Sequence, residues 1–180
     1  VRDRVPERTP VTAKIRLGYD SDEQFQEILD ALSGVVLSEI TIHARTKRQG
    51  YRPPAHWHQL RQARLTLPYP VIANGDIDSA EKARAVLALT GAAGVMIGRA
   101  AQGQLWLPGA IASALSAGDE GARTPALSEQ LRLQSKHLLR LHDFHGDHLG
   151  PRIARKHQAW LLESLTAQQA LSAEDAHAWR

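Results

Sequence analysis

Four times in succession, a short β-branched apolar run is followed by a segment whose apolar residues recur at helical spacing. No other feature constrains the fold of this 180-residue chain as tightly. Residues 10–18 carry Val11, Thr12 and Ile15 and end on glycine, the pattern of a buried strand. Residues 20–23 then open a helix, in which Phe25, Ile28, Leu29 and Leu32 make one apolar stripe. Residues 35–43 read as the second strand and residues 44–54 as a long polar loop. Trp57, Leu60 and Ala63 mark the second helix. The third strand spans 70–74. Asp78 as N-cap, with Glu81 three residues on, predicts the start of a third helix that buries Ala83, Val86 and Leu87 and stops at Gly91. The fourth strand spans 94–98.

Near-continuously apolar strands joined by helices predict a parallel α/β sheet. Two architectures satisfy this pattern, a doubly wound open sheet and a β/α barrel. Four strands cannot close a barrel, so the barrel reading requires further strands upstream. It agrees with a first residue that is not Met and with residues 1–6, which read as the tail of an interrupted helix.

Beyond Gly109 the strand signal ends. The organisation expected is β/α units over 1–112, a Ser-, Gly- and Pro-containing linker over 113–126, and an all-α domain over 127–180. In that domain Leu131, Leu138 and Leu141 face a core. The segment 145–150 makes a break, and Pro151 sits in the first turn of a new helix. Ile153, His157, Trp160, Leu161 and Leu165 share one face of it, and residues 172–175 begin a last short helix.

Composition removes several classes of chemistry. The chain has no cysteine, which excludes disulfides, thiolate metal sites and a cysteine nucleophile from these 180 residues. No run of 18 apolar residues exists, so no membrane helix is expected. His142, His145 and His148 recur every three residues. The break after His145 spoils their helical spacing and no acid or thiol completes a zinc pattern, so no metal is expected. The net charge of +3 lies in the first part: residues 1–109 hold 14 Lys and Arg against 11 Asp and Glu, whereas 110–180 hold 8 of each. Much of the excess clusters at Arg45, Lys47, Arg48 and Arg52, a loop able to attract a polyanion.

Parallel α/β proteins bind ligands at the carboxyl ends of their strands. Here Lys14 lies in the first strand, His43 and Arg45 end the second, Asn74, Gly75 and Asp76 end the third, and Gly98 and Arg99 end the fourth. Gly98 and Arg99 precede a helical start whose free amides suit a phosphate. On the helical domain, Arg152, Arg155 and Lys156 at i, i+3 and i+4 form a basic face.

These blocks carry a specific resemblance. Lys-Ile-Arg-Leu-Gly18, Thr-Ile-His-Ala-Arg-Thr46, Pro-Val-Ile-Ala-Asn-Gly-Asp76, Val-Met-Ile-Gly-Arg-Ala-Ala-Gln-Gly103 and Arg-Ile-Ala-Arg-Lys-His157 occur in the order of the bacterial tRNA-dihydrouridine synthases, over about residues 8–165. The chain resembles the B-type branch overall, and Gln-Gly-Tyr-Arg52 is similar to the C-type. The resemblance implies the C-terminal half of a (β/α)8 TIM barrel followed by a helical tRNA-binding domain. It implies FMN over the barrel mouth, NADPH as reductant, and reduction of uridine to 5,6-dihydrouridine in tRNA. By motif, Lys14 and His43 would meet the flavin or uracil, Asn74, Gly75, Asp76, Gly98 and Arg99 the ribityl phosphate, Arg45 the flipped base or RNA, and Arg152, Arg155 and Lys156 the tRNA phosphates. The family's acid cysteine would lie upstream, so no catalytic residue is expected in this chain and the chain alone should be inactive. A cytoplasmic, monomeric whole protein is the corresponding expectation. His-Ala-Arg45 departs from the more usual His-Gly-Arg. Two other readings fit the residues: a non-catalytic RNA-binding fragment, and a flavin-dependent barrel oxidoreductase acting on a small molecule.

Overall fold

The structure is a computed structural model that describes residues 4–117 and 123–178. It divides into two compact units, one ending at Gly98 and one beginning at Arg99. The interrupted-helix reading of residues 1–6 and the linker reading of 113–126 fall in part outside the described residues.

In the first unit, β1 (Thr12–Arg16), α1 (Phe25–Ser33), β2 (Glu39–His43), α2 (Gln59–Thr66), β3 (Val71–Asn74), α3 (Ala80–Thr90) and β4 (Gly94–Met96) alternate as the hydrophobic pattern predicts. All three strand pairs are parallel and the sheet order is β1-β2-β3-β4. Sequential order with right-handed crossovers puts every helix on one side of the sheet. The sheet is therefore singly wound, which excludes the doubly wound alternative for these strands.

Register assigns the two faces. Ile40, Ile42, Val71 and Ala73 are all fully buried and point toward the helices, where they meet a layer that includes Phe25, Leu29, Leu60, Ala63, Ala83 and Val86. Lys14 pairs with Thr41, which pairs with Ile72; Arg16 pairs with His43, which pairs with Asn74, which pairs with Met96. Because side chains alternate along a strand, these residues share the opposite face.

Several boundaries differ from the sequence reading. Strand β2 begins at Glu39 rather than at residue 35, and Val35 and Val36 are exposed. Two adjacent valines read as strand by propensity, but neither finds a neighbouring strand here. The cap of α3 is Ser79, whose hydroxyl accepts from the Lys82 amide at 3.2 Å. Asp78 instead accepts from Lys82 Nζ at 2.6 Å.

The regular elements of the second unit, among its described residues, are all helical: a 3₁₀ turn at Arg99–Ala101, α4 (Leu107–Ala117), α5 (Leu127–Ala167) and α6 (Ala173–Ala178). Helix α4 continues past residue 113, so the expected linker is helix as far as Ala117. Within α5, Gly146 has φ 72° and ψ 179°, a conformation open almost only to glycine, and two helical segments meet there. They fold back on each other. Gln134 donates to the His157 carbonyl at 3.1 Å, and Gln130 donates to Gln168 at 3.2 Å. The expected break is thus a helical hairpin turn at Gly146. Pro151 lies five residues into the second segment, beyond its first turn. Leu161 and Leu165 are buried as expected, whereas Leu131 is exposed because the buried amides Gln130 and Gln134 occupy the contact stripe.

Candidate active site on the polar face of the sheet

The polar face is organised from strand tips inward. Lys14 Nζ donates to Asn74 Oδ1 at 3.3 Å, and Asn74 Nδ2 donates to the Met96 carbonyl at 2.8 Å. One amide thereby ties the outer strand β1 to β4 across the sheet. The His43 ring is 5% exposed and Asn74 8%. Gly75 packs against that ring. A Cβ there would stand 3.1 Å from His43 Cδ2. Gly98, the last residue of this unit, lies beside Asn74: a Cβ on it would sit 3.9 Å from Asn74 Nδ2. So Lys14, His43, Asn74, Gly75 and Gly98 form one cluster. Arg99 opens the second unit and is exposed.

Arg16 completes this face and was not singled out by motif reasoning. Its Nη1 donates to the carbonyls of Thr46 and Gly50, both at 3.0 Å, and its guanidinium stands 5.6 Å from the Tyr51 ring centre. Tyr51 in turn lies 6.1 Å from His43, centre to centre. Strand alternation is the signal that finds Arg16, since it must face the same way as Lys14 two residues earlier.

The loop after β2 is built rather than loose. The Thr46 amide donates to Gln49 Oε1 at 2.8 Å and the Gln49 amide donates to Thr46 Oγ1 at 3.2 Å, a reciprocal pair that closes one turn. Trp57 Nε1 donates to the Gly75 carbonyl at 2.8 Å and fixes the loop's far end to the tip of β3. A cleft of about 340 Å³ opens on this loop, lined by Arg48, Arg52, His56 and Asp20 among others. Arg48 and Asp20 approach to 3.6 Å, an exposed pair of little energetic weight.

Two of the expected site residues bond to each other. Arg45 is fully buried. Its Nε donates to the Arg52 carbonyl at 2.7 Å, Nη2 donates to the Asp76 carboxylate, and Nη1 lies 3.2 Å from His43 Nε2. Asp76, expected in a phosphate cradle, directs its carboxylate at Arg45. A carboxylate can accept a hydrogen bond but repels a phosphate. The solvent-facing charge of this loop comes from Lys47, Arg48 and Arg52.

Positive charge dominates the electrostatics. The His43 imidazole is held down to about 4, first by burial, then by Arg16, Lys14 and Arg45. Burial and the neighbouring Arg16 lower the Lys14 ammonium as well. His43 is therefore neutral at pH 7. The linkage has a definite sign. A folded-state pKa below the unfolded value of 6.5 gives stability that is fully present above pH 6.5 and lost as pH falls toward 4. The loss is on the order of 2–3 kcal/mol. Urea unfolding at pH 7 and pH 4.5 measures it, and His43→Gln is expected to remove that part of the pH dependence. An identical dependence in His43→Gln would show that other groups carry it.

In the helical unit, Arg152, Arg155 and Lys156 are exposed, with Lys156 Nζ 4.9 Å from the Trp160 ring centre. His157 is packed, as its sequence position suggests. Its Nδ1 lies 3.0 Å from His137 Nε2, and its ring meets Trp160 edge-on at 5.0 Å. Burial, His137 and Lys156 lower its pKa. Among the described residues no group of three or more His, Cys, Asp and Glu could hold a metal ion, and no helix is long and apolar enough to cross a membrane.

A singly wound parallel sheet with basic and amide side chains gathered on one face defines a β/α protein with a positively charged candidate site. Comparison with known proteins makes this specific. A sequence model of the family described as Dihydrouridine synthase (Dus) matches residues 1–178, and the chain belongs to that family. It is 41% identical over 155 residues to tRNA-dihydrouridine synthase B of Vibrio cholerae, 86% of this chain and 48% of that protein. It is 43% identical over 155 residues to the protein of the same name from Yersinia pestis, covering 86% of this chain and 48% of that protein. With a probable tRNA-dihydrouridine synthase of Rhodobacter capsulatus the identity is 42% over 159 residues, 88% of this chain and 49% of that protein. The chain thus spans about half the length of the curated relatives it matches.

Proposed function

We propose that this chain forms the C-terminal part of an FMN- and NAD(P)H-dependent enzyme that reduces uridine to 5,6-dihydrouridine in tRNA, of the B-type. The observation that carries the reading is the cluster of Lys14, Arg16, His43 and Asn74 on one face at the strand tips of a Dus-family chain. Its excess positive charge, which depresses both His43 and Lys14, suits an anionic cofactor. The singly wound strand order supports reading the sheet as the last four β/α units of a (β/α)8 barrel, continued at both edges by strands outside this chain.

The donor set fits FMN. Asn74, Gly75, Gly98 and Arg99 would hold the ribityl phosphate, and Lys14 and His43 would meet the flavin ring or the uracil. The chemistry that FMN would supply when bound and reduced by NAD(P)H is a hydride for the uracil C6. Lys14 and neutral His43 then donate hydrogen bonds to carbonyl oxygens on which negative charge develops, without giving up a proton. On the family resemblance, the proton for C5 would come from an acid cysteine, a residue type that these 180 residues lack. A base reaches such a site only when turned out of the stack. The exposed cations Arg152, Arg155 and Lys156, with the basic loop at Lys47, Arg48 and Arg52, would bind tRNA phosphates.

The test is expression of the whole protein in cells that lack other dihydrouridine synthases, with mass spectrometry of digested tRNA. Dihydrouridine should appear, and Lys14→Ala should lower kcat/KM by about 100-fold, the typical effect of deleting one donor to a developing anion. A whole protein that purifies without flavin and leaves tRNA uridine unreduced would overturn the reading.

A further inference from the structure

We propose that Arg45 is a positioning residue: through its contact with His43 Nε2 it fixes the imidazole as the Nδ1–H tautomer and aims that single donor. Its bearing on catalysis rests on the function proposed above.

A guanidinium carries five N–H donors and no acceptor. Any hydrogen bond between Arg45 Nη1 and His43 Nε2, 3.2 Å apart, must run from Arg45 to the ring. Nε2 is then the lone-pair nitrogen, and the one proton of a neutral imidazole resides on Nδ1. The ring is neutral at pH 7 for independent reasons, namely its burial and the surrounding cations.

Arg45 is placed for this role and for no contact with solvent. It is fully buried, with two of its nitrogens held elsewhere: Nε by the Arg52 carbonyl at 2.7 Å and Nη2 by the Asp76 carboxylate. Three acceptors on three different segments fix a planar fork, so the third arm has a defined direction. Gly75 completes the hold from the other side of the ring, where a Cβ would stand 3.5 Å from His43 Nε2. Asp76 thereby acts one step further out, orienting the arginine that orients the histidine. The groups facing His43 are Lys14 and Arg16 from β1, Arg45 and Tyr51 from its own loop, and Asp76 from the tip of β3.

Long-range ¹H–¹⁵N correlation spectra of the ¹⁵N-histidine-labelled whole protein read the tautomer directly. The expected result for His43 at pH 7 is a protonated Nδ1 and an unprotonated Nε2, with a population of the other tautomer below about one tenth. An Nε2–H signal for His43 in the unaltered protein overturns the proposal, and this outcome needs no variant to fold. The compact ammonium of Arg45→Lys cannot span the three separated acceptors that the planar fork reaches, so this variant should let the Nε2–H tautomer rise to a major species. Asp76→Asn, which keeps Arg45 but loosens it, should give an intermediate population. If Arg45→Lys folds and His43 remains wholly Nδ1–H, Arg45 does not set the tautomer. The spectra require neither flavin nor tRNA, so their outcome is separate from that of the proposed function. In turnover, Arg45→Lys should lower kcat at least tenfold with KM for tRNA changed less than threefold, and shift the acidic limb of the pH profile. An unchanged kcat and pH profile would likewise overturn the role.

Discussion

Gly103→Ala is expected to destabilise the helical unit by roughly 2–5 kcal/mol, through two independent causes. The glycine has φ +74°, where a side chain clashes with its own backbone, a cost of about 1–2 kcal/mol. A Cβ there would also lie 2.1 Å from the Trp160 carbonyl oxygen and 2.6 Å from its carbonyl carbon. Both are backbone atoms of the hairpin's second segment and cannot rotate away as a side-chain tip would. Overpacking of this kind adds about 1–3 kcal/mol. The neighbouring glycines separate the two causes. Gly146 has φ +72° with nothing near its hypothetical Cβ, so Gly146→Ala should pay the backbone term alone, about 1–3 kcal/mol. Gly109 lies in α4 with neither problem, and Gly109→Ala should stabilise by about 0.5–1 kcal/mol. Urea unfolding of the three variants gives the order. Gly103→Ala unfolding at the wild-type midpoint would show that the approach to Trp160 relaxes at no cost.

The sequence made the sheet legible because periodicity reports burial. Ile40 and Ile42 alternate with Thr41, and the two isoleucines are fully buried toward the helices. The pattern also placed Lys14, His43 and Asn74 at strand tips, and the register brings them onto one face. What periodicity could not supply was the winding: strands in sequential order and strands in a reversed order have the same hydrophobic runs, and only pairing separates them. Nor could motif spacing tell a cation that meets solvent from one that meets an acid. Arg45 and Arg48 are three residues apart on the same loop, yet one is fully buried against Asp76, 31 residues away, while the other is exposed. Arg16 was hidden for the converse reason. It sits inside a motif already read for its lysine, and its partners are backbone carbonyls, which leave no residue-type signature. In the helical unit, leucine spacing pointed Leu131 inward, but Gln130 and Gln134 take that stripe. Both amides bond across the hairpin, a contact that only the turn at Gly146 creates.

Arg45→Met is expected to cost roughly 3–5 kcal/mol in the β/α unit, the range for removing one member of a buried ion pair. The figure follows from what is left behind rather than from what is lost. Methionine fills the apolar stem of arginine but leaves the Asp76 carboxylate, the Arg52 carbonyl and His43 Nε2 without their donor. Asp76 keeps some solvent contact, at 26% exposure, and water can relieve part of its charge. The ring nitrogen of His43 sits deeper, and a stranded acceptor of this kind costs about 1–3 kcal/mol. A double-mutant cycle separates these contributions. Arg45→Met with Asp76→Asn removes the stranded charge together with its partner, so the pair should cost less than the sum of the singles by about 1–3 kcal/mol. Additive costs would mean that Asp76 is solvated well enough to need no arginine. The same cycle carries a pH signature. Without the Arg45 cation one of the charges that depress His43 is gone, so the acid-linked loss of stability should set in over a narrower range below pH 6.5 than in the unaltered protein.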